Sequence, residues 1–219
     1  MNDAMLIAGA GMELVSALAE EAEKRNIKTA RALIQSRNGA GRFTHAAAAE
    51  KTASLDWNPG SPISARSLIL AAENKVGHLS GGIIVCTAPD NAEASDFSPA
   101  GIDIIVNNHI KSYMLLANEL SRHFRARQSG SLALVLFEKP VSGILAAPIF
   151  SSFKSFSGSL LAHSNPEYIR TTAFSCEEKI PPPVNEFAAY VFKTLSENKK
   201  LDGAKWFKFT KLKRNLKLT

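Results

Sequence analysis

The sequence predicts a doubly wound α/β domain, a three-layer sandwich with about seven parallel strands. Three observations predict it. Runs such as Ile83-Ile84-Val85-Cys86 and Leu132 to Phe137 are apolar without polar alternation, which marks strands buried on both faces. These runs alternate with longer stretches at helical spacing, as parallel strands joined by crossover helices require. The first run ends in glycine, at Gly9, just ahead of a helical stretch.

Taken in order, Met5–Gly9 reads as the first strand. Met12–Arg25 reads as a helix, with Leu14, Ala17, Leu18 and Ala22 on one face. Arg31–Gln35 reads as a second strand. A loose stretch over 36–50 follows, with Gly39, Gly41 and a run of alanines. Thr52–Asp56 reads as a short third strand. Pro62–Lys75 reads as a helix with Ile63, Leu68, Ile69 and Leu70 inward. Gly82–Cys86 reads as a strand, Ala100–Arg127 as a long helix and Ser131–Phe137 as the most hydrophobic strand. The remainder reads as helix Phe150–His163, strand Ile169–Cys176, helix Val184–Leu195 and strand Ala204–Phe209. This gives one domain over 1–210 and a basic tail over 211–219.

The 219 residues suffice for one core without staples, and 45% apolar with 21% charged residues is ordinary globular composition. Net charge is +6, and the excess is concentrated in Lys205, Lys208, Lys211, Lys213, Arg214 and Lys217. Such an ending can bind phosphate backbones or anionic lipid. More commonly its lysines guard an edge strand, so nucleic acid is not the expected partner. Met1-Asn2-Asp3-Ala4 lacks the positive region of a secretory signal, and no stretch nears the ~18 apolar residues of a membrane span. A cytoplasmic protein with Cys86 and Cys176 as reduced core thiols is expected. His45, His78, His109, His123 and His163 show no metal-ligand spacing, so no metal is expected.

One motif is almost a catalytic pair. Phe150-Ser151-Ser152-Phe153-Lys154 has the spacing of Tyr-x-x-x-Lys, with phenylalanine for tyrosine. Positions four apart share a helix face, where an ammonium lowers a phenol's pKa and the phenol passes a proton. Phenylalanine has no proton to pass.

The order and spacing of several pieces resemble the short-chain dehydrogenase/reductase family over nearly the whole chain. They are Ala8-Gly9-Ala10-Gly11, Ser36-Arg37-Asn38, Leu55-Asp56, Val76-Gly77-His78-Leu79, Ile83 to Ala88, Asn108-His109-Ile110-Lys111-Ser112, Gly130-Ser131-Leu132, and Phe150 with Lys154. The resemblance implies a Rossmann-type domain that binds a nicotinamide dinucleotide. It also implies where the chemistry should lie. The family's catalytic serine position falls on Phe137 and its tyrosine position on Phe150. Its helix asparagine position falls on His109, or on Asn108 if the register slips by one. Lys154 alone is intact. In the family that lysine also holds the nicotinamide ribose, so binding could outlast catalysis; by itself Lys154 reads equally as a solvated or locally paired helix lysine.

The implied cofactor site is altered too. Gly9, Gly11, Arg37, Asp56, Ala88 and Lys154 fall at or near cofactor-binding positions. The family spaces its glycines Gly-x-x-x-Gly-x-Gly, and here Gly9 is followed by Glu13 and Val15, with Gly11 off that register. Glu13 puts bulk and negative charge where diphosphate would lie, although a carboxylate also suits the first turn of a helix. Ser36-Arg37 is NADP-like, since arginine there meets a 2′-phosphate. The loop from Glu177 to Pro183 ends in three prolines, too stiff for a closing lid.

The expectation is a catalytically impaired homologue with a binding or assembly role, binding NADP weakly. An active NADP-dependent reductase of a small carbonyl, using Lys154 and His109, is the alternative. Nucleic-acid or anionic-membrane binding through the tail is the third reading. A homodimer is expected, as in the family, through helices 100–127 and 150–163. The apolar candidates for that interface are Tyr113, Met114, Leu116, Leu120, Phe153, Phe156 and Leu160.

Overall fold

A computed structural model describes residues 4–34, 52–87, 97–138, 144–164, 167–177, 182–197 and 205–210. Strands β1 (Ala4–Gly9), β2 (Lys28–Leu33), β3 (Thr52–Leu55), β4 (Leu79–Thr87), β5 (Ser131–Phe137), β6 (Arg170–Cys176) and β7 (Lys205–Phe209) form one parallel sheet. Their order is β3-β2-β1-β4-β5-β6-β7. The expected doubly wound α/β architecture is therefore the one found. The winding reverses between β1 and β4, and ligands of such sheets bind outside the strand ends at that reversal.

The helices are α1 (Met12–Lys24), α2 (Pro62–Val76), α3 (Pro99–Ile105), α4 (Ser112–Arg127), α5 (Ala146–His163) and α6 (Val184–Glu197). Period-2 alternation along each strand divides the core in two. One face packs Ile7, Val85, Val135 and Phe174 against Leu14 and Leu18 of α1 and Phe187 and Val191 of α6. The other packs Leu6, Ile84, Leu134 and Leu136 against Leu68 of α2, Leu116 and Phe124 of α4, and Ile149 and Phe153 of α5. Local chemistry sets the helix starts. Ser61 caps α2 by accepting from Ser64 N at 3.3 Å, with Pro62 at its first position. Ser98 caps α3 in the same way.

Several expectations are corrected. β2 starts at Lys28 rather than Arg31, because pairing with β1 runs Ala4↔Lys28 to Gly9↔Leu33. α5 starts at Ala146 rather than Phe150; Pro148 lies in the first turn, where no donor is needed, so the helix can begin ahead of it. The long helix contains a π-helical segment, Val106–Lys111, between α3 and α4. On α2, Ile63 and Leu70 face outward, and Ala65, Leu68, Ile69 and Ala72 make the buried stripe. Leu14, Ala17, Leu18 and Ala22 are buried as read.

Of the residues expected at a dimer interface, Tyr113, Leu116, Leu120 and Phe153 fill this chain's own core. Phe156 and Leu160 are half-buried against it. Among the seven only Met114 is exposed. The tail over 211–219 lies outside the described residues.

Candidate functional site

The carboxyl edge of the sheet is built by strand alternation. Leu134 and Leu136 face the helix α5 side, whereas Val135 and Phe137 face the α1 and α6 side. The next residue, Glu138, therefore turns back toward α5. On β6, Ala173 faces α5 and Phe174 and Cys176 face away, which turns Glu177 the same way as Glu138. The two strands pair in register up to Phe137↔Cys176, and Glu138 N donates to Cys176 O at 2.9 Å. Two carboxylates thus leave neighbouring strand ends side by side, under α5.

Lys154 of α5 reaches both. Its Nζ lies 2.6 Å from Glu138 Oε1 and 3.2 Å from Glu177 Oε2. Burial pulls the ammonium's pKa down, but its contacts with the two carboxylates outweigh burial and hold it above the usual lysine range. Burial pushes Glu177 up, yet Lys154, Ser175 and Lys208 together hold it below the usual carboxylate range. Lys154 is thus a locally paired cation, occupied by its own chain.

Phe137 and Phe150 do not come together. The Phe137 ring stacks on Phe187 of α6 at 5.3 Å, on the far face of the sheet. Phe150 is buried with Ile149 and Phe153 under α5. The side chain at the end of β5 that meets Lys154 is Glu138, one residue beyond the expected position. Glu138 and Glu177 escaped the sequence reading. The available signal was a charge placed directly after each of two apolar strands.

His109 is buried in the π-helical segment, where such segments often mark sites. It lines a recess with Gly9, Ala10, Trp57, Asn108 and Tyr113. Tyr113 places a phenol near the expected tyrosine helix: its hydroxyl lies 2.6 Å from Ser152 Oγ of α5. Burial pushes that phenol up to about 12, against the hydrogen bond from Ser152, so it is the reverse of an activated acid.

At the first strand-to-helix turn, Gly9 has φ +142, and a Cβ there would stand 2.0 Å from Val85 O. Gly11 caps α1 with φ +98, and its Cβ would meet Thr87 Oγ1 at 2.3 Å. Close packing on β4, against the Val85 backbone for Gly9 and the Thr87 side chain for Gly11, thus accounts for both glycines. Glu13 stands exposed in the first turn of α1, and Val15 is fully buried in the core. Asp56 is exposed just past β3. Arg37 and Ala88 lie outside the described residues. Among those described, no cluster of three metal-ligating side chains occurs and no helix is long and apolar enough to cross a membrane.

No family model and no curated protein matches the chain. Solved structures do. One is assigned to the short chain dehydrogenase/reductase family of oxidoreductases, from Aeromonas hydrophila subsp. hydrophila; it superposes with TM-score 0.76 at 15% identity, covering 95% of this chain and 99% of that one. 3-Ketoacyl-(acyl-carrier-protein) reductase from Brucella melitensis, complexed with NADH, gives 0.70 at 18% identity, with 94% and 96% covered. The NADH-dependent reductase A1-R′, complexed with NAD, gives 0.70 at 14% identity, with 94% of each chain covered. The chain has the short-chain dehydrogenase/reductase fold over nearly its whole length. At these identities the likeness is one of fold.

That fold implies a nicotinamide dinucleotide, and the residues present do not fit it. Glu13, in the first turn of α1, would oppose a diphosphate at that helix N-terminus, and Val15 stands where a glycine would let backbone approach. Lys154, the lysine that would hold ribose, is taken by Glu138 and Glu177.

Proposed function

We propose that this chain is a catalytically silent protein of short-chain dehydrogenase/reductase fold, serving as a binding or assembly subunit. The observation that carries this reading is the clamping of Lys154 between Glu138 and Glu177. An ammonium beside a phenol lowers its pKa and helps it pass a proton, and carboxylates paired with that ammonium offset the effect. Here the ammonium has two carboxylate partners, position 150 has no hydroxyl, and the phenol of Tyr113 is shifted the wrong way. The dinucleotide affinity that remains is weak and favours NADPH, because Ser36-Arg37 follows β2.

General acid–base help is worth about 10²–10⁴-fold, and no neighbouring side chain among the described residues replaces it. The test is oxidation of NADPH and NADH with a panel of small carbonyl compounds. No turnover above background is expected. Robust turnover abolished by Lys154→Ala or His109→Ala would overturn the reading in favour of an active reductase.

A further inference from the structure

We infer that Trp57 closes the floor of the nucleotide groove, so that its indole limits what the fold can bind. This rests on the reading of the chain as one that binds dinucleotide weakly, and it adds a cause unrelated to the charge of Glu13. The winding of the sheet reverses between β1 and β4, which fixes the groove above those strand ends. The ends of β1 and β4, Ile34 just past β2, and the π-helical segment all converge there on one recess. Trp57, two residues beyond β3, is the largest side chain lining it. The space left is about that of one water molecule, far less than an adenosine.

The backbone beside Trp57 is pinned. Asn58 N donates to Ser64 Oγ at 2.7 Å, and Gly60 N donates to Asn58 Oδ1 at 3.0 Å. The indole Nε1–H is buried and has no acceptor among the described residues. An unpaired buried donor is costly to keep from water. The ring is thus held in the recess by packing against the core rather than by a hydrogen bond.

Calorimetric titration with NADPH and with ADP tests this on wild type, Trp57→Val and Trp57→Leu, each checked for a cooperative melt. Both variants should bind at least tenfold more tightly than wild type, for both nucleotides. Equal affinity in wild type and in a folded variant overturns the inference, and does so whether or not wild type turns NADPH over. A second measurement avoids the groove variants. The chain has two tryptophans, so Trp206→Phe leaves Trp57 as the single emitter. Its fluorescence should be several-fold less quenched by acrylamide than free indole. Quenching equal to free indole would place the ring in solvent and end the proposal.

Discussion

Glu138 Oε1 and Lys154 Nζ stand 2.6 Å apart because β5 ends one residue before the carboxylate. The alternation that stacks Phe137 on Phe187 turns the next side chain onto the face that α5 covers. Glu177 arrives by the same step at the end of β6, so the two carboxylates and the ammonium follow from strand register. A single-residue slip of either strand would reverse which side chain meets Lys154.

The first prediction concerns Lys154→Met. It removes the cation that joins Glu138 to Glu177 and leaves Glu177 only the weaker influence of Lys208. Lys154 and Glu177 are each about a third exposed, so solvent screens the pair, and a loss of about 1 kcal/mol is expected near neutral pH. Glu177, held below the usual range, contributes above the ordinary carboxylate range and loses that contribution as pH falls through its folded value. Lys154, held above its usual range, contributes at lower pH and loses it as pH rises through its folded value. The difference between wild type and Lys154→Met should be flat across neutral pH and shrink at both extremes. Urea melts over that span measure it; a difference independent of pH would contradict the ion cluster.

A second prediction separates fold from ligand. Gly9→Ala puts a methyl 2.0 Å from Val85 O at a φ of +142. It should destabilise the protein by roughly 3 kcal/mol. NADPH added to either protein should leave that difference unchanged, since the glycine serves β4 packing. A near-neutral Gly9→Ala in denaturant melts would show that the turn has room to relax.

The centre of the sheet was legible because β1, β4 and β5 carry near-continuous apolar runs, such as Leu132 to Phe137, whereas polar residues in β2 hid where that strand starts. Phe150, with no hydroxyl four residues before Lys154, was legible in the letters alone. Glu138 and Glu177 were not, because a charge after a strand reads as the start of a loop until two strands are known to be neighbours. Trp57 was hidden for the same reason: its partners Gly9, Ile34 and Asn108 come from distant segments. Ile63 and Leu70 misled because alanines, Ala65 and Ala72, carry the buried stripe of α2.

Tyr113→Phe is the third prediction. It removes the hydroxyl that meets Ser152 at 2.6 Å, and Ser152 is accessible enough to hydrate. The cost should be about 0.5–1.5 kcal/mol, and the ring contact with Phe153 should persist. A phenolate titration followed by absorbance should lose a step near 12. An unchanged titration would mean that Tyr113 is not the buried phenol described.

The fourth prediction concerns assembly, the binding half of the proposed role. Phe156→Glu is a poor probe, because the Phe156 ring packs 5.3 Å from Tyr113 and a charge there would disturb the monomer. The outer face of α5 offers a cleaner one. Ser151, Ser155, Gly158 and Ala162 are exposed and small, and a Cβ at Gly158 would meet nothing within 4 Å. Two copies related by a twofold axis would bring these faces close. A stable pairing needs roughly 1,000 Å² or more of total burial, so both α4 and α5 would have to take part. Wild type should sediment as a dimer at micromolar concentration, and Ser155→Arg should sediment as a monomer with an unchanged melt. A monomeric wild type, or a dimer indifferent to the arginine, would remove this face from the assembly.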